Sequence, residues 1–99
     1  MCGICGFLQT NGSADKNTLK VMNDQIIHRG PDDEGYYYNG KVGLAARRLS
    51  IIDLKTGHQP LHSYSGNSWI TYNGEVYNFQ ELRTDLIQQG YQFNSTSDT

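Results

Sequence analysis

Small and apolar side chains alternate over residues 3–9, which predicts a β-strand that begins almost at the first residue. The Asn11–Gly12 pair favours a turn, and Asp15 is suited to cap a helix because its carboxylate can accept a bond from the first-turn backbone. The apolar side chains of this helix recur at the spacing of one face, at Leu19, Met22 and Ile26. Gly30, expected in the left-handed position after a helix, and Pro31 are predicted to end it.

The next stretch carries the clearest hairpin signal of the chain. Residues 36–38 and 41–48 flank Asn39–Gly40, a pair typical of a type I′ turn because both residue types accept positive φ angles. Residues 48–53 are predicted to be extended, and residues 56–68 to form a loop.

The last third of the pattern predicts a short strand and a helix. Residues 69–72 form the strand and lead into an Asn-Gly-Glu sequence. Asn78, with Glu81 three residues later, fits a capping box, and Gly90 is predicted to end the helix. The apolar side chains on one face of this helix are Phe79, Leu82 and Leu86. Two helices, several strands and a tight hairpin together predict an α+β fold with antiparallel pairing.

Composition and charge exclude several classes of partner and cellular location. The chain has 99 residues, enough for one domain or part of one, and a formal net charge of −2. Interspersed charges of both signs argue against nucleic acid or an anionic membrane as partner. No apolar run approaches the roughly 20 residues of a membrane span, and no secretory signal pattern is present. Two cysteines do not make a disulfide framework, so a reducing, cytoplasmic location is expected.

A zinc site is the first of three interpretations of the cysteines. Cys2 and Cys5 form C-x-x-C, and His58 and His62 form H-x₃-H. The separation between the two pairs is far longer than the roughly 12–15 residues of a zinc finger. Pro60 also interrupts the helix that would present both histidines on one face. We therefore expect no metal site.

A redox pair and a pair of buried structural thiols are the other two interpretations. A thioredoxin-like pair would follow a strand, whereas only Met1 precedes Cys2. The position of Cys2 in the chain favours a catalytic role, because removal of Met1 would give this residue a free α-amine with a pKa of about 7.7–8.0. A terminal amine beside its own thiol is a built-in general base. Cys5 is expected to be structural.

The first residues, M-C-G-I-C-G, resemble the class II glutamine amidotransferases, which have the N-terminal-nucleophile hydrolase fold. Further segments narrow the resemblance to the glutaminase domain of the asparagine synthetase (glutamine-hydrolysing) family. These segments are H-R-G-P-D-D-E-G at 28–35, R-R-L-S-I-I-D at 47–53, Y-N-G-E-V-Y-N at 72–78 and S-D-T at 97–99. The resemblance implies a four-layer αββα sandwich with antiparallel sheets, of which residues 1–99 would be the N-terminal half.

The resemblance also implies roles for individual residues. Cys2 would be the nucleophile, and the Asn73 side chain and the Gly74 backbone N–H would form the oxyanion hole. The implied glutamine-binding residues are Arg48, Leu49, Ser50, Ile51, Ile52, Asn73, Gly74, Glu75 and Asp98. Arg48 would hold the α-carboxylate, for which a two-pronged guanidinium is suited, and Asp98 with the Glu75 region would meet the α-ammonium group.

Simpler interpretations stay open beside these roles. An Arg at a strand end is usually a solvated surface residue, and Asn73–Gly74 alone is typical of a hairpin turn. The residues of His28–Asp32 identify the family, but no catalytic duty follows from them, and Gly30 is sufficiently explained as a helix stop. Before R-R-L-S the family frequently has His where this chain has Ala46.

The implied reaction is acyl transfer from the side chain of glutamine to Cys2, with release of ammonia and hydrolysis of the thioester to glutamate. In the family, ammonia reaches a C-terminal synthetase domain, where ATP and Mg²⁺ activate aspartate for conversion to asparagine. The expected partners are therefore glutamine, the rest of the glutaminase domain and that synthetase domain. No cofactor is expected within residues 1–99, and this segment alone is expected to be inactive.

Three alternatives remain. The glucosamine-phosphate synthase and phosphoribosyl-pyrophosphate amidotransferase branches share the N-terminal Cys, although the segments at 28–35 and 47–53 fit the asparagine synthetase branch better. A member of that branch can also amidate a different carboxylate. From another class, the chain can be a non-catalytic half-domain whose open sheet edge pairs with another chain, which would give self-association.

Overall fold

A computed structural model describes residues 2–12, 14–49, 58–93, 95 and 98–99. Along the chain these form β1 (Gly3–Leu8), α1 (Lys16–Asp24), a 3₁₀ turn (Ile27–Arg29), β2 (Asp33–Tyr38), β3 (Val42–Arg48), β4 (Leu61–His62), β5 (Trp69–Ile70) and α2 (Phe79–Gln88). The predicted α+β class is confirmed, with two helices and antiparallel sheets.

A three-stranded antiparallel sheet has the order β1-β3-β2. β3 is its central strand, and Ala45 and Ala46 on it are 0% and 4% exposed. The register sets Gly3 opposite Arg47 and Asp33 opposite Arg48. The sheet therefore brings the start of β1, the end of β3 and the start of β2 to one edge.

The β2–β3 hairpin was predicted correctly, but its turn type was not. Asn39 donates its N–H to the Val42 carbonyl at 3.1 Å, so the central turn residues are Gly40 and Lys41, and of these Gly40 alone has a positive φ, 95°. Asn39 instead uses its side-chain oxygen to accept the N–H groups of Lys41 and Val42, at 3.0 and 2.8 Å. A positive φ at the first central residue is the pattern of a type II′ turn, which fits strand twist as well as type I′ does.

α1 begins at its predicted cap. The Asp15 carboxylate accepts the Thr18 N–H at 2.9 Å, and these two residues complete a capping box. The α-helix ends at Asp24, earlier than predicted, and a 3₁₀ turn follows. Gly30 has a φ of −157°, so the left-handed position predicted for it is wrong.

α1 packs on one face of the three-stranded sheet, here called the helix face. Leu19 and Asn23 are its fully buried side chains among the described residues. The Asn23 side chain donates to the Ala46 carbonyl at 3.4 Å, and the Asn23 carbonyl accepts Arg47 Nε at 3.2 Å. Arg47 Nη2 also pairs with Asp24 at 2.7 Å. A small polar network therefore joins α1 to the central strand.

The opposite face of the sheet carries the second hairpin, and is here called the hairpin face. Side chains alternate along a strand, so Tyr37 points away from α1. Its ring stacks on Trp69 with centroids 4.2 Å apart. Trp69 lies in β5, which pairs with β4, so residues 61–62 form a strand inside the stretch predicted as a loop. The predicted extended segment at 48–53 lies, beyond Leu49, outside the described residues.

α2 confirms the predicted helix and its end. Gly90 has a φ of 96° just after the helix, the conformation that favours glycine there. The predicted capping box at Asn78 is wrong, because the Asn78 side chain makes no capping hydrogen bond. None of the residues of α2, all of them described, is buried. Neither helix in the described part of the chain has the length and apolar character needed to cross a membrane.

Candidate functional site

Cys2 lies directly before β1, at the edge where three strand ends meet. Gly3 pairs with Arg47, so Cys2 is beside the last residue of β3, Arg48. Gly3 and Arg47 lie on the helix face, and alternation places the side chains of Cys2 and Arg48 on the hairpin face. The thiol of Cys2 is free, and the residue is partly buried. The structure therefore brings together two of the residues predicted for glutamine.

The residue that follows Cys2 has little room for a side chain. A Cβ at Gly3 would lie 3.0 Å from Ile26 Cδ1 and 3.1 Å from the Cβ of Arg29. These two residues belong to the turn after α1. Glycine therefore lets β1 pass close under that turn.

The segment after the 3₁₀ turn supports Arg48 along its main chain. Asp32 donates its N–H to the Arg48 carbonyl at 3.1 Å, and Pro31 forms a β-bridge with Arg48. A Cβ at Gly30 would fall on the backbone of Arg47 and Arg48, so this position needs glycine for close approach. No catalytic duty for the segment His28–Asp32 followed from the sequence. In the structure, its last two residues contact the main chain of Arg48, the residue predicted to bind the α-carboxylate.

The two neighbouring arginines have different environments. Arg47 is 5% exposed, and its guanidinium reaches Asp24 and Glu34 at 2.7 and 3.0 Å. Arg48 follows it and therefore points to the opposite face, toward the second hairpin. Of the pair, Arg48 is the arginine positioned beside Cys2 on the hairpin face.

Cys5 lies in the packing between β1 and α1. Its thiol is 3.7 Å from Asn23 Oδ1, a distance suited to a weak sulfur hydrogen bond. Burial raises the pKa of the Cys5 thiol, and the nearby Arg47 charge offsets only part of this. A raised pKa keeps the thiol protonated at neutral pH, which suits the structural role expected for Cys5.

The predicted oxyanion residues lie in the loop between β5 and α2. A Cβ at Gly74 would be 2.7 Å from the Tyr72 hydroxyl oxygen and 2.8 Å from its ring, so only glycine fits there without displacement. The same hydroxyl donates to the Glu75 carbonyl at 3.2 Å. Asn73–Gly74 is therefore not the hairpin turn of the simpler interpretation, since it joins a strand to a helix.

Asp98 is held at this loop. Its Oδ2 accepts the Val76 N–H at 2.8 Å, which places its carboxylate one residue from Glu75. Two predicted partners of the α-ammonium group are therefore neighbours. Leu49 follows Arg48 and is 41% exposed. Three predicted binding residues lie outside the described part of the chain: Ser50, Ile51 and Ile52.

Cys2 and the loop that carries Asn73 and Gly74 come from different parts of the fold. Among the described residues, no hydrogen bond or ion pair joins Cys2 to Asn73 or Gly74. A connection runs instead through Gln59, whose side chain binds the main chain of Tyr72. Sequence reasoning missed Gln59, because a glutamine in a predicted loop carries no local signal of its partner.

A cavity of about 500 Å³ lies between the β4–β5 hairpin and α2. It meets the site at Val76 and Asp98, and its wall is otherwise largely apolar, including Leu61, Trp69, Ile70, Phe79, Leu82 and Phe93. Most of this lining suits the packing of apolar side chains, and the charged side chains of Arg83 and Asp98 also reach the wall. In the described part of the chain, no group of three or more His, Cys, Asp or Glu could hold a metal ion.

Comparisons with known proteins agree over the whole chain. The family model described as a glutamine amidotransferase domain matches residues 1–99. Glutamine-hydrolyzing asparagine synthetase 1 of Bacillus subtilis (strain 168) is 48% identical over 103 residues, covering 100% of this chain and 16% of the relative. Asparagine synthetase 2 of the same organism is 42% identical, covering 99% and 13%. The Brassica oleracea asparagine synthetase is 39% identical, covering 99% and 17%. The chain therefore spans less than a fifth of the length of these curated relatives.

Proposed function

This chain belongs to the glutamine amidotransferase domain family, and we propose that it carries the nucleophile and substrate clamp for hydrolysis of glutamine to glutamate and ammonia. The observation that carries the proposal is the register of β1 and β3, which sets Cys2 beside Arg48. A thiol and a guanidinium at one sheet edge are the groups needed to attack an amide and to hold a carboxylate.

The proposed chemistry begins at the sulfur of Cys2. After removal of Met1, the α-amine of Cys2 takes the thiol proton, and the thiolate forms a C–S bond to the side-chain carbonyl carbon of glutamine. The carbonyl oxygen becomes an oxyanion, to which the Asn73 amide and the Gly74 N–H donate. The C–N bond then breaks, the leaving nitrogen takes the proton from the α-amine, and ammonia departs. Water hydrolyses the thioester to glutamate and regenerates the thiol.

Substrate capture is proposed to use the two ends of the amino acid. Arg48 binds the α-carboxylate, while Asp98 and the Glu75 region bind the α-ammonium group. The hydrogen bond from Val76 to Asp98 supports this assignment, because it holds the carboxylate next to the proposed oxyanion loop. Leu49, Ser50, Ile51 and Ile52 extend the glutamine-binding segment after Arg48.

The fold implied by the family is proposed as well. An αββα sandwich is supported by α1 on one face of the three-stranded sheet and the β4–β5 hairpin on the other. α2 and that hairpin line one cavity, which supports α2 as the outer layer beyond the hairpin. Residues 1–99 would supply the N-terminal half of this sandwich.

The ammonia is proposed to serve an ATP- and Mg²⁺-dependent synthetase domain of a cytoplasmic protein that converts aspartate to asparagine. The support is that the relatives of similar sequence bear the name asparagine synthetase. An amidotransferase of the same family with another carboxylate as acceptor is the second candidate. A non-catalytic half-domain is less favoured, because the family match covers the whole chain and the proposed nucleophile and Arg48 are adjacent.

The decisive experiment compares the two cysteines in the full-length protein. Cys2→Ala should reduce glutamine hydrolysis to background, while Cys5→Ala should largely spare it because that thiol lies between β1 and α1. Mass spectrometry of the same samples separates chains that retain Met1 from processed ones, and activity should follow the processed fraction. Glutaminase activity retained by Cys2→Ala would exclude the proposed nucleophile.

A further inference from the structure

Gln59 binds the main chain of Tyr72 through both atoms of its side-chain amide. Its Oε1 accepts the Tyr72 N–H at 2.7 Å, and its Nε2 donates to the Tyr72 carbonyl at 3.0 Å. A primary amide offers an acceptor and donors side by side, so it can reproduce the two bonds that a paired strand residue exchanges. Tyr72 is thereby held as if in a sheet, although β5 ends at Ile70.

The main chain around Gln59 is anchored on the three-stranded sheet. The Gln59 carbonyl approaches Gly35 so closely that a Cβ on Gly35 would collide with it. His58, the preceding residue, pairs with Asp33 at 2.7 Å. Asp33 in turn lies opposite Arg48 in the β2–β3 register. Gln59 therefore takes its position from the same strands that place the proposed carboxylate clamp.

The side chain of Gln59 also reaches the segment that carries Asp98. Nε2 lies 3.3 Å from Thr99 Oγ1, within hydrogen-bonding distance. Asp98 itself accepts the N–H of Val76 at the far end of the same loop. One partly buried amide thus links the sheet edge to both ends of the loop that contains Asn73 and Gly74.

We infer that Gln59 is a positioning residue for glutamine hydrolysis, which holds Tyr72 so that the Asn73 and Gly74 donors meet the developing oxyanion. The inference rests on the proposed function. Loss of one oxyanion donor commonly costs about 10²–10³ in rate, and a displacement of about 1 Å can cost about 10². Because the Gln59 amide is directed at Tyr72 and Thr99, its loss should act on the chemical step through the loop donors and leave capture by Arg48 nearly unchanged.

The test is steady-state glutamine hydrolysis by the full-length protein carrying Gln59→Glu. This change keeps the size and the acceptor for Tyr72 N–H, but turns the Nε2 donor into an oxygen facing the Tyr72 carbonyl. We expect kcat to fall roughly 10- to 100-fold while KM changes less than about threefold. Gln80→Glu, at an exposed position of α2, is the matched control and should match the unmodified protein. An unchanged kcat in Gln59→Glu would overturn the inference.

A double-mutant cycle with Asn73→Ala separates this inference from the proposed function. If Gln59 acts through the loop, the loss in kcat of the double variant should be far smaller than the product of the two single-variant losses. The reason is that the second substitution disturbs donors that the first has already impaired. Fully multiplicative losses would overturn the inference. An Asn73→Ala variant with normal kcat would instead remove the proposed oxyanion hole, whatever Gln59 does. A reduced kcat in Asn73→Ala beside a normal kcat in Gln59→Glu would leave the proposed function standing and reject the positioning role.

Hydrogen exchange of the unmodified protein gives a second test that no folding defect can obscure. The Tyr72 amide hydrogen should exchange slowly, because the Tyr72 N–H donates a hydrogen bond to Gln59 Oε1. Exchange of this amide at the rate of an exposed loop would overturn the inference even if Gln59→Glu failed to fold.

Discussion

The N-terminal region, residues 2–49, and the C-terminal region, residues 58–99, hold their site residues by different means. In the N-terminal region, main-chain pairing over six positions aligns β1 with β3, and α1 packs across both strands. In the described part of the C-terminal region, the strands β4 and β5 have two residues each, and no residue of α2 is buried. Cys2 and Arg48 therefore depend on a sheet, whereas the proposed oxyanion loop depends on single polar side chains.

The two regions therefore differ in the kind of interaction that keeps their site residues in place. The sheet aligns its strands through many backbone hydrogen bonds, so the position of Arg48 beside Cys2 should survive the loss of a side chain even where that loss lowers the stability of the sheet. The loop at residues 72–76 has a few defined supports, namely Gln59, the Tyr72 hydroxyl and Asp98. We expect single substitutions to displace the loop without unfolding it.

The largest expected effect concerns the polar network of the N-terminal region. Arg47→Met should lower the free energy of local unfolding of β3 by about 1–2 kcal/mol, since it removes a buried donor from the Asn23 carbonyl and two charge-assisted bonds from the half-exposed carboxylates of Asp24 and Glu34. Arg83→Met is the matched change in the C-terminal region. There Arg83 bonds the Ser95 carbonyl and covers the Phe93 ring, and its loss should cost less than about 1 kcal/mol.

Native-state hydrogen exchange of the full-length protein measures both changes, on the amides of β3 and of α2. Equal losses of local unfolding free energy for Arg47→Met and Arg83→Met would contradict the prediction that the polar network of the N-terminal region contributes more stability.

The second prediction tests the clamp at the sheet edge. Arg48→Lys keeps the positive charge but loses the paired donors, so KM for glutamine should rise about tenfold or more with a smaller change in kcat. Arg29→Lys, in the 3₁₀ turn nearby, serves as the control and should leave KM unchanged. A KM for Arg48→Lys equal to that of the unmodified protein would remove Arg48 from the clamp.

The third prediction concerns the 99-residue chain by itself, which should be weakly stable and self-associating. Apolar side chains that line the cavity of the C-terminal region are also exposed, with Ile70 at 46%, Leu82 at 44% and Phe93 at 41%. Leu82→Gln should weaken association more than Val21→Gln, an exposed position of α1 that is not part of the apolar cavity wall. Analytical ultracentrifugation decides, and a compact monomer with a cooperative melt would contradict the prediction.

The smallest expected effect compares the two helix caps. Asp15 accepts the backbone N–H and the hydroxyl of Thr18, and these bonds lower the pKa of its carboxyl below the usual 3.8. Because the folded pKa is lowered, the cap stabilises the fold above pH 3.8 and loses its effect as the pH falls through the folded pKa. Asp15→Asn keeps the cap and should remove this dependence.

Melting temperatures at neutral pH and below pH 3.8 measure the cap. At neutral pH, Asp15→Ala should destabilise more than Asn78→Ala, since the Asn78 side chain makes no capping bond. An equal or larger loss for Asn78→Ala would mean that α2 depends on a contact other than its cap.

Several features follow from residues close together in the chain, and the sequence alone determined them. Alternation over residues 3–8 places β1, Asp15 starts α1, Asn39–Gly40 joins β2 to β3, and Gly90 ends α2. Each depends on backbone preferences or on a bond within a few residues, so a local pattern is enough. The family motifs likewise single out Cys2, Arg48, Asn73, Gly74 and Asp98 from the sequence alone.

Only the tertiary structure decided the features whose partners are distant in the chain. Gly30 is required by the approach of β3 at Arg47 and Arg48, and not by a left-handed cap. The role of Gln59 depends on two contacts: its side chain binds Tyr72, thirteen positions away, and its carbonyl packs against Gly35 of β2. A glycine or an amide looks the same in sequence whether it ends a helix, fills a loop or holds a neighbouring strand, because the contact that distinguishes these roles forms only when the chain has folded.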